Sequence, residues 1–211
     1  MSTCVLIVDD HPILLQGCRR MLSDMGVATV IEARDIVAGY RLYRRHLPDM
    51  TIVDLSFQGA SMIGLNLVQR IKRHDRKARV LVLSMHNDPV IATRALQAGA
   101  TGYVTKDASS EGLLGAIGRV LSGQPYLGED LATKIAFAGL ATERGPLADL
   151  TPRELQALSL LAEGKAYSSI AADLNVSYKT VVNTCLQLRQ KLAAKNLAEL
   201  VSMAVRLLAV K

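Results

Sequence analysis

The chain has 211 residues, of which 50% are hydrophobic, and it carries a net charge of +6. This length allows one large domain or two small ones, and no apolar run approaches the ~20 residues that span a bilayer. The short apolar start lacks a basic leader, so no signal peptide is expected. The three cysteines (Cys4, Cys18 and Cys185) are odd in number and lack metal-ligand spacing, so reduced thiols in a cytoplasmic protein are expected.

Strand-like and helix-like patterns alternate through residues 1–122. Short apolar runs typical of buried strands fall at 5–8, 28–31, 50–53, 80–83 and 102–104. Helical spacing of apolar residues follows each run, at 12–22, 37–47, 65–71, 90–98 and 110–121. These β–α units predict an α/β domain with a five-stranded, doubly wound parallel sheet of flavodoxin-like strand order.

Three carboxylates stand at the ends of the first and third predicted strands. Asp9 and Asp10 come after the run 5–8, and Asp54 ends the run that begins at residue 50. Like charges about 4 Å apart repel by roughly 4 kcal/mol at an effective dielectric of ~20, so carboxylates that converge here need a cation. Hard oxygen ligands favour Mg²⁺. Taken alone, however, an acidic pair at a strand end is more often a solvated turn or a helix cap.

Two further polar residues follow the fourth and fifth predicted strands. Ser84 comes after the run 80–83, and Lys106 comes shortly after the run 102–104. A carboxylate, a divalent cation, a hydroxyl and an ammonium together describe a phosphoryl site. Asp54 could attack a phosphoryl group as a nucleophile. By themselves, Lys106 would be a surface lysine and Ser84 an ordinary strand-end hydroxyl.

These residues, together with Tyr103, resemble the receiver domain of two-component response regulators in their order and spacing. The resemblance implies that Asp54 is the phosphoacceptor. It also implies a Mg²⁺ site in which Asp10 is a direct ligand and Asp9 an outer one, with Asp54 bridging and the Ser56 carbonyl contributing.

The same resemblance implies roles for the remaining matched residues. Ser84 and Lys106 would contact the phosphoryl oxygens, and Tyr103 would be the switch aromatic that turns inward when the hydroxyl moves. The loop after the phosphoacceptor departs from the family, because Phe57-Gln58-Gly59 replaces the usual Met-Pro-Gly and Gly64 arrives about two residues late. The shape of this loop, and its effect on phosphorylation, are left open.

Residues 123–146 change character and are predicted to be a linker. Glycines and prolines break up an apolar stretch at 131–140, which predicts one short helix. Residues 147–211 then open with Thr151, Pro152 and Glu154, a capping box that starts a helix. Four helices follow in the apolar pattern, with a tight turn before Ser177, which indicates an all-α helix-turn-helix domain.

This last segment resembles the LuxR-type DNA-binding domain. The matching residues are Leu150-Thr151-Pro152-Arg153-Glu154, Gly164, Ile170-Ala171, Leu174, Val176-Ser177, Lys179-Thr180-Val181, Asn183 and Leu192. With the receiver, they give the pairing of NarL/FixJ-type response regulators. The resemblance implies a transcription regulator, not an enzyme, that is phosphorylated by a sensor histidine kinase and binds promoter DNA as a homodimer. The expected DNA contacts are Ser177, Tyr178, Lys179, Thr180, Asn183, Gln187 and Arg189.

Departures in this domain keep an alternative open. Val182 and Thr184 stand where the family often has Lys and His, and Ser168-Ser169 where it often has Lys-Glu. The helix-turn-helix could therefore bind protein instead of DNA, under control of phosphorylation. Residues 150–211 nevertheless carry as much excess positive charge (+4) as the first 122 residues, although they are about half as many. This favours a polyanionic partner for the last segment. A basic run at 70–79 is interpreted as a solvated face.

Overall fold

The computed structural model describes residues 3–57, 62–140 and 146–208, except for the side chains of residues 138–140. Gln58 and Gly59 of the altered loop lie outside these ranges. Within them, every helix is too short or too polar to cross a bilayer.

A parallel sheet forms the centre of the N-terminal domain. Its order is β2-β1-β3-β4-β5-β6, and the strands are β1 (Cys4–Val8), β2 (Thr29–Ala33), β3 (Met50–Asp54), β4 (Val80–Ser84), β5 (Gly102–Thr105) and β6 (Tyr126–Leu127). The predicted doubly wound, flavodoxin-like sheet is confirmed. Its short sixth strand is an addition from the segment predicted as linker, where Gly102 pairs with Tyr126.

Helices cover both faces of this sheet because alternate strand residues point in opposite directions. One face packs against α1 (Pro12–Asp24) and α5 (Ser110–Leu121). The other packs against α2 (Ile36–His46), α3 (Gly64–His74) and α4 (Pro89–Gln97). The strand ends that carry the predicted site residues therefore stay open at one edge of the sheet.

The chain continues through α6 (Glu129–Leu140), which contacts α4. Four helices then follow: α7 (Pro152–Ala162), α8 (Tyr167–Asp173), α9 (Tyr178–Lys191) and α10 (Leu197–Leu208). The predicted helix-turn-helix architecture is confirmed, with α8, a turn at Asn175 (φ 51°) and α9. The Thr151 hydroxyl accepts the Glu154 amide at 3.2 Å, and the Glu154 carboxylate accepts the Thr151 amide at 2.6 Å, so the capping box starts α7.

The two domains share an apolar interior. Residues 154–161 of α7 are buried on every side of the helix, including the polar Gln156 and Ser159. One continuous cluster of buried side chains extends from α2, α3 and α4 to the helices of the C-terminal domain. The Gln156 amide, at the contact, donates to the Met62 carbonyl at 3.3 Å. The C-terminal helices are therefore packed on the receiver-like domain.

Candidate functional site

An acidic pocket lies at the open edge of the sheet. Val8 of β1 is in register with Val53 of β3, so the residues that follow them emerge side by side. Asp9, Asp10, His11 and Asp54 each offer a ligand atom, and these atoms lie within 4.8 Å of one another. Asp9 and Asp54 are only 1% and 2% exposed. Buried, clustered carboxylate oxygens can hold a metal ion.

Lys106 reaches into this pocket from the end of β5. Its ammonium donates to Oδ2 of Asp54 at 2.7 Å and to Oδ2 of Asp9 at 2.8 Å. The backbone places it there, because the Lys106 amide donates to the Ser84 carbonyl at 2.8 Å. Burial disfavours the ammonium, but the carboxylates of Asp54 and Asp9 outweigh burial and raise the pKa of Lys106.

The Asp54 carboxylate is left short of positive charge. Burial, with a smaller contribution from the Asp9 carboxylate, raises the pKa of Asp54 to about 6. The Lys106 ammonium and a hydrogen bond from the Ser56 backbone oppose this rise without cancelling it. An added cation in the pocket would stabilise the charged form.

His11 is a member of the pocket that sequence reasoning missed. Its Nδ1 lies 2.9 Å from Asp9, 3.1 Å from Asp10 and 4.0 Å from Asp54, while 62% of its side chain is exposed. Its amide also donates to Asp9 at 2.8 Å, which holds the strand end in its turn before α1. Its position directly after Asp9 and Asp10 was the available signal.

The backbone at the end of β3 is packed too tightly for a side chain at Gly64. A Cβ there would lie 2.0 Å from the Asp54 carbonyl oxygen and 2.8 Å from the Leu55 Cα. The Gly64 amide instead donates to the Leu55 carbonyl at 3.0 Å. Although Gly64 comes about two residues later in the sequence than the family's glycine, its backbone still packs against the end of β3. Phe57, from the altered loop, is buried.

Ser84 and Tyr103 meet beneath the pocket. Ser84 is fully buried, and its hydroxyl accepts the His86 amide at 3.2 Å. The Tyr103 ring is also fully buried and donates its hydroxyl to the His86 carbonyl at 2.7 Å. Burial, opposed by a hydrogen bond with Ser84, raises the pKa of Tyr103. The loop at His86 therefore joins the two predicted switch residues.

Helix α9 presents most of the predicted DNA contacts to solvent. The exposed ones are Ser177, Tyr178, Lys179, Thr180, Asn183 and Gln187. Ser177 caps the helix by accepting the Thr180 amide at 3.1 Å, and the two hydroxyls lie 2.8 Å apart. Arg189 is half-buried, and its guanidinium donates to the Lys195 carbonyl. Lys179 is thus the outward cation at the start of α9.

A second feature missed by sequence reasoning connects the domains. Arg94 of α4 donates from Nη2 to the carbonyls of Leu147 at 3.0 Å, Ala148 at 3.5 Å and Leu150. These carbonyls belong to the turn just before α7. We call this set of contacts the Arg94 clamp. Its partners are more than fifty residues away in the chain, so local patterns do not reveal it.

Comparisons with known proteins agree with this architecture. Residues 5–118 match the family described as response regulator receiver domain, and residues 148–204 match bacterial regulatory proteins of the luxR family. The chain is 37% identical over 202 residues to the methanol utilization control regulatory protein MoxX of Paracoccus denitrificans, covering 96% of this chain and 91% of that protein. It is 32% identical over 205 residues to the response regulator UvrY of Escherichia coli K12, covering 96% and 93%.

Solved structures give the same answer. The structure of RcsB from Salmonella enterica serovar Typhimurium, bound to promoter rprA in the presence of the phosphomimetic BeF3-, superposes with a TM-score of 0.73 at 30% identity. The match covers 97% of this chain and 99% of that one. The chain therefore belongs to the NarL-type response regulators, which join a receiver domain to a LuxR-type helix-turn-helix domain.

Proposed function

We propose that this protein regulates transcription and is switched by transfer of a phosphoryl group from a sensor histidine kinase to Asp54. The observation that carries the proposal is the convergence of Asp9, Asp10 and Asp54, with Lys106 donating to two of them. The same chain carries α9, which exposes most of the predicted DNA contacts, in a domain that matches the luxR family of bacterial regulatory proteins.

The pocket fits Mg²⁺ by its donor chemistry. Asp9, Asp10 and Asp54 would hold the ion, with the Ser56 carbonyl as a further ligand. Hard carboxylate and carbonyl oxygens are the donors that Mg²⁺ prefers, and the raised pKa of Asp54 indicates unmet demand for positive charge. When bound, Mg²⁺ supplies charge neutralisation to the oxygens of the incoming phosphoryl group.

Transfer to Asp54 needs little covalent chemistry from the protein. A carboxylate oxygen of Asp54 forms the new bond to phosphorus while the bond from phosphorus to the kinase histidine breaks, and the electron pair returns to the imidazole nitrogen. Lys106 stays beside the new acyl phosphate and neutralises part of its charge. Ser84 would turn its hydroxyl to a phosphoryl oxygen, and Tyr103 would repack around it.

The C-terminal domain is the output. We propose a receiver at 1–122, a linker at 123–146 whose strand β6 adds to the edge of the receiver sheet, and a DNA-binding domain at 147–211. Promoter DNA would contact the N-terminal half of α9 and the residues beyond it, namely Ser177, Tyr178, Lys179, Thr180, Asn183, Gln187 and Arg189. A homodimer formed on phosphorylation would place two such helices on half-sites about one DNA turn apart. The protein would act in the cytoplasm. We propose no catalysis on a separate substrate.

Phosphotransfer tests the receiver half of the proposal. With Mg²⁺ present, the wild-type chain should form a covalent phosphoprotein from a small phosphodonor, visible as an added phosphate by mass spectrometry. Asp54→Asn should abolish the product, whereas Asp107→Asn, which changes an exposed carboxylate near Lys106, should not. Equal labelling of Asp54→Asn and wild type would refute Asp54 as the phosphoacceptor.

Salt dependence separates DNA from a protein partner at α9. Val182 and Thr184 are half-buried, and the Thr184 hydroxyl donates back to the Thr180 carbonyl at 2.9 Å, so these departures do not create an exposed apolar patch. Binding of the phosphorylated chain to promoter-length DNA should weaken steeply with salt. Salt-insensitive or undetectable binding would favour the protein-interaction alternative.

A further inference from the structure

Positive charge is concentrated in two stretches of the receiver domain, away from α9. Residues 34–46 hold four basic and one acidic side chain, and residues 70–79 hold six basic and one acidic. These two stretches together carry +8, whereas the whole chain carries +6, so everything else sums to −2. The location of this charge is therefore the main electrostatic feature of the molecule.

The fold joins the two stretches into one surface. Helices α2 and α3 pack side by side, with the Arg70 guanidinium 4.1 Å from the centre of the Tyr40 ring. The Tyr43 and His74 rings contact edge to face at 6.3 Å. The result is a surface that we call the basic face, made of seven exposed side chains: Arg41, Arg44, Arg45, Arg70, Arg73, Arg76 and Lys77.

The charge of the basic face is not balanced within the protein. In the part of the chain that the structure describes, none of its seven members forms an ion pair. The one carboxylate within residues 70–79, Asp75, already accepts the Tyr43 hydroxyl at 3.4 Å and the Lys77 amide at 2.8 Å. The guanidinium and ammonium groups remain available to an external anion.

Helix stability explains only part of this pattern. Cations in a last helical turn interact favourably with the helix dipole, by about 0.3–1 kcal/mol each, which accounts for Arg44, Arg45 and Arg73. Arg76 and Lys77 lie beyond the end of α3, and Arg70 lies before its last turn. A face that served only solubility would mix both signs of charge.

The position of α3 points to DNA as the partner. Its first turn adjoins the C-terminal domain, where Ile63 and Asn66 line a cleft with Asn175 of the turn before α9. Eleven helical residues extend about 16 Å, less than the ~34 Å of one DNA turn. A duplex that lies on the start of α9 and runs along α3 would carry phosphates past the far end of α3.

We propose that the basic face is a second DNA-backbone surface, through which the receiver holds duplex that flanks the sequence read by α9. The inference rests on the proposed DNA binding by α9. A duplex presents one phosphate per ~1.7 Å of axis, and a row of exposed cations on two parallel helices suits such a linear polyanion. The basic face would also add phosphate contacts that α9 lacks. The outward cation at the start of α9 is Lys179, and the Arg189 guanidinium donates a hydrogen bond to the Lys195 carbonyl.

The test compares salt dependence among charge variants of the full chain, with Mg²⁺ and beryllofluoride present. The probe is a labelled mixed-sequence duplex of about 40 base pairs, roughly four helical turns. Arg73→Gln/Arg76→Gln/Lys77→Gln should reduce the slope of log K against log salt by about one unit per lost phosphate contact, up to roughly three. Arg73→Lys/Arg76→Lys should keep the wild-type slope, which separates charge from folding.

Two further variants make the outcomes distinct. Arg20→Gln/Arg119→Gln/Lys134→Gln removes the same charge from exposed positions on other elements, and its slope should change far less. Lys179→Gln should reduce the slope of log K against log salt by about one unit, because it removes one phosphate contact of α9. If Lys179→Gln weakens binding while the Arg73/Arg76/Lys77 variant matches the Arg20/Arg119/Lys134 variant, the basic face is refuted and DNA binding by α9 stands. If the wild type binds no duplex in a salt-dependent manner, the proposed function fails, and this inference with it.

Discussion

At the scale of single residues, the central feature is a buried carboxylate with too little positive charge around it. Asp54 is 2% exposed, and although Lys106 donates to it at 2.7 Å, the same ammonium is shared with Asp9. When it is ionised, a buried carboxylate in this setting lowers the stability of the fold, but its negative charge stays available to a cation or a phosphoryl group. The pocket is thus electrostatically prepared for a divalent cation and for a phosphoryl group that brings its own acceptor oxygens.

Replacing this carboxylate should therefore stabilise the protein in the absence of divalent ions. The folded pKa of about 6 lies above the unfolded value near 3.9, so the folded state binds more protons between these values and stability falls as pH rises through that window. Above pH 6 the ionised Asp54 costs up to about 3 kcal/mol, which Asp54→Asn avoids. Urea unfolding in a chelator should show the variant more stable at pH 7.5 and nearly equal at pH 4.

The control and the contrary result are both accessible. Asp107→Asn, at an exposed position, should change stability by less than about 0.5 kcal/mol at either pH. Added Mg²⁺ should stabilise the wild type more than Asp54→Asn. A variant that is less stable than the wild type at pH 7.5 would show that Lys106 already compensates Asp54 in full.

At the scale of elements, strand ends and helix starts were predictable because their signals are local. Asp9, Asp54 and Lys106 follow apolar runs, and the box at Thr151 and Glu154 is complete within four residues. Strand β6 was not predictable, because two residues pair only where the edge of β5 is open to them. His11 was missed although it directly follows Asp9 and Asp10, because only the turn before α1 shows that its ring folds back onto these carboxylates.

The start of α3 is one place where an element constrains the site. Gly64→Ala would press a Cβ against the backbone of Asp54 and Leu55, which cannot move without distorting β3. We expect Gly64→Ala to lower the free energy of unfolding by about 3 kcal/mol, as measured with urea, which is at the upper end of overpacking effects. We also expect it to bind beryllofluoride more weakly. Gly115→Ala, in α5 with open space around it, should instead stabilise the protein by ~0.5–1 kcal/mol. Equal effects at the two glycines would contradict the close packing.

The start of α7 is a second constrained element. Burial opposes ionisation of Glu154, but hydrogen bonds from Lys191 (2.7 Å) and Thr151 prevail and lower its pKa. Its stabilising contribution is therefore present above the unfolded pKa near 4.3 and is lost as pH falls through the folded value. Glu154→Gln should cost about 1.5–3 kcal/mol at pH 7 and progressively less in acid, as measured by urea unfolding. Asp107→Asn, an exposed change outside the helices, should change stability by less than about 0.5 kcal/mol at either pH.

At the scale of the whole molecule, the domains are coupled by a few polar contacts across a shared apolar interior. The Arg94 clamp holds the turn before α7 from the receiver side, and Lys191 of α9 reaches the same turn by donating to the Asp149 carbonyl at 3.1 Å. Lys191 also pairs with Glu154. A rearrangement near α4 thus has a direct structural route to the C-terminal end of α9. No sequence pattern reveals this route, because its partners come from distant parts of the chain.

If this route transmits the signal, breaking it should reduce the response without destroying either domain. Arg94→Gln removes a guanidinium that donates to the carbonyls of Leu147, Ala148 and Leu150, while both domain cores remain intact. The ratio of DNA affinities with and without beryllofluoride should fall toward one, measured by fluorescence anisotropy. Arg20→Gln, an exposed change on α1, should keep the wild-type ratio. Because a ligand shifts an equilibrium only by its differential affinity for two states, an unchanged ratio in Arg94→Gln would mean that the clamp is the same in both states and that coupling runs through the apolar contact alone.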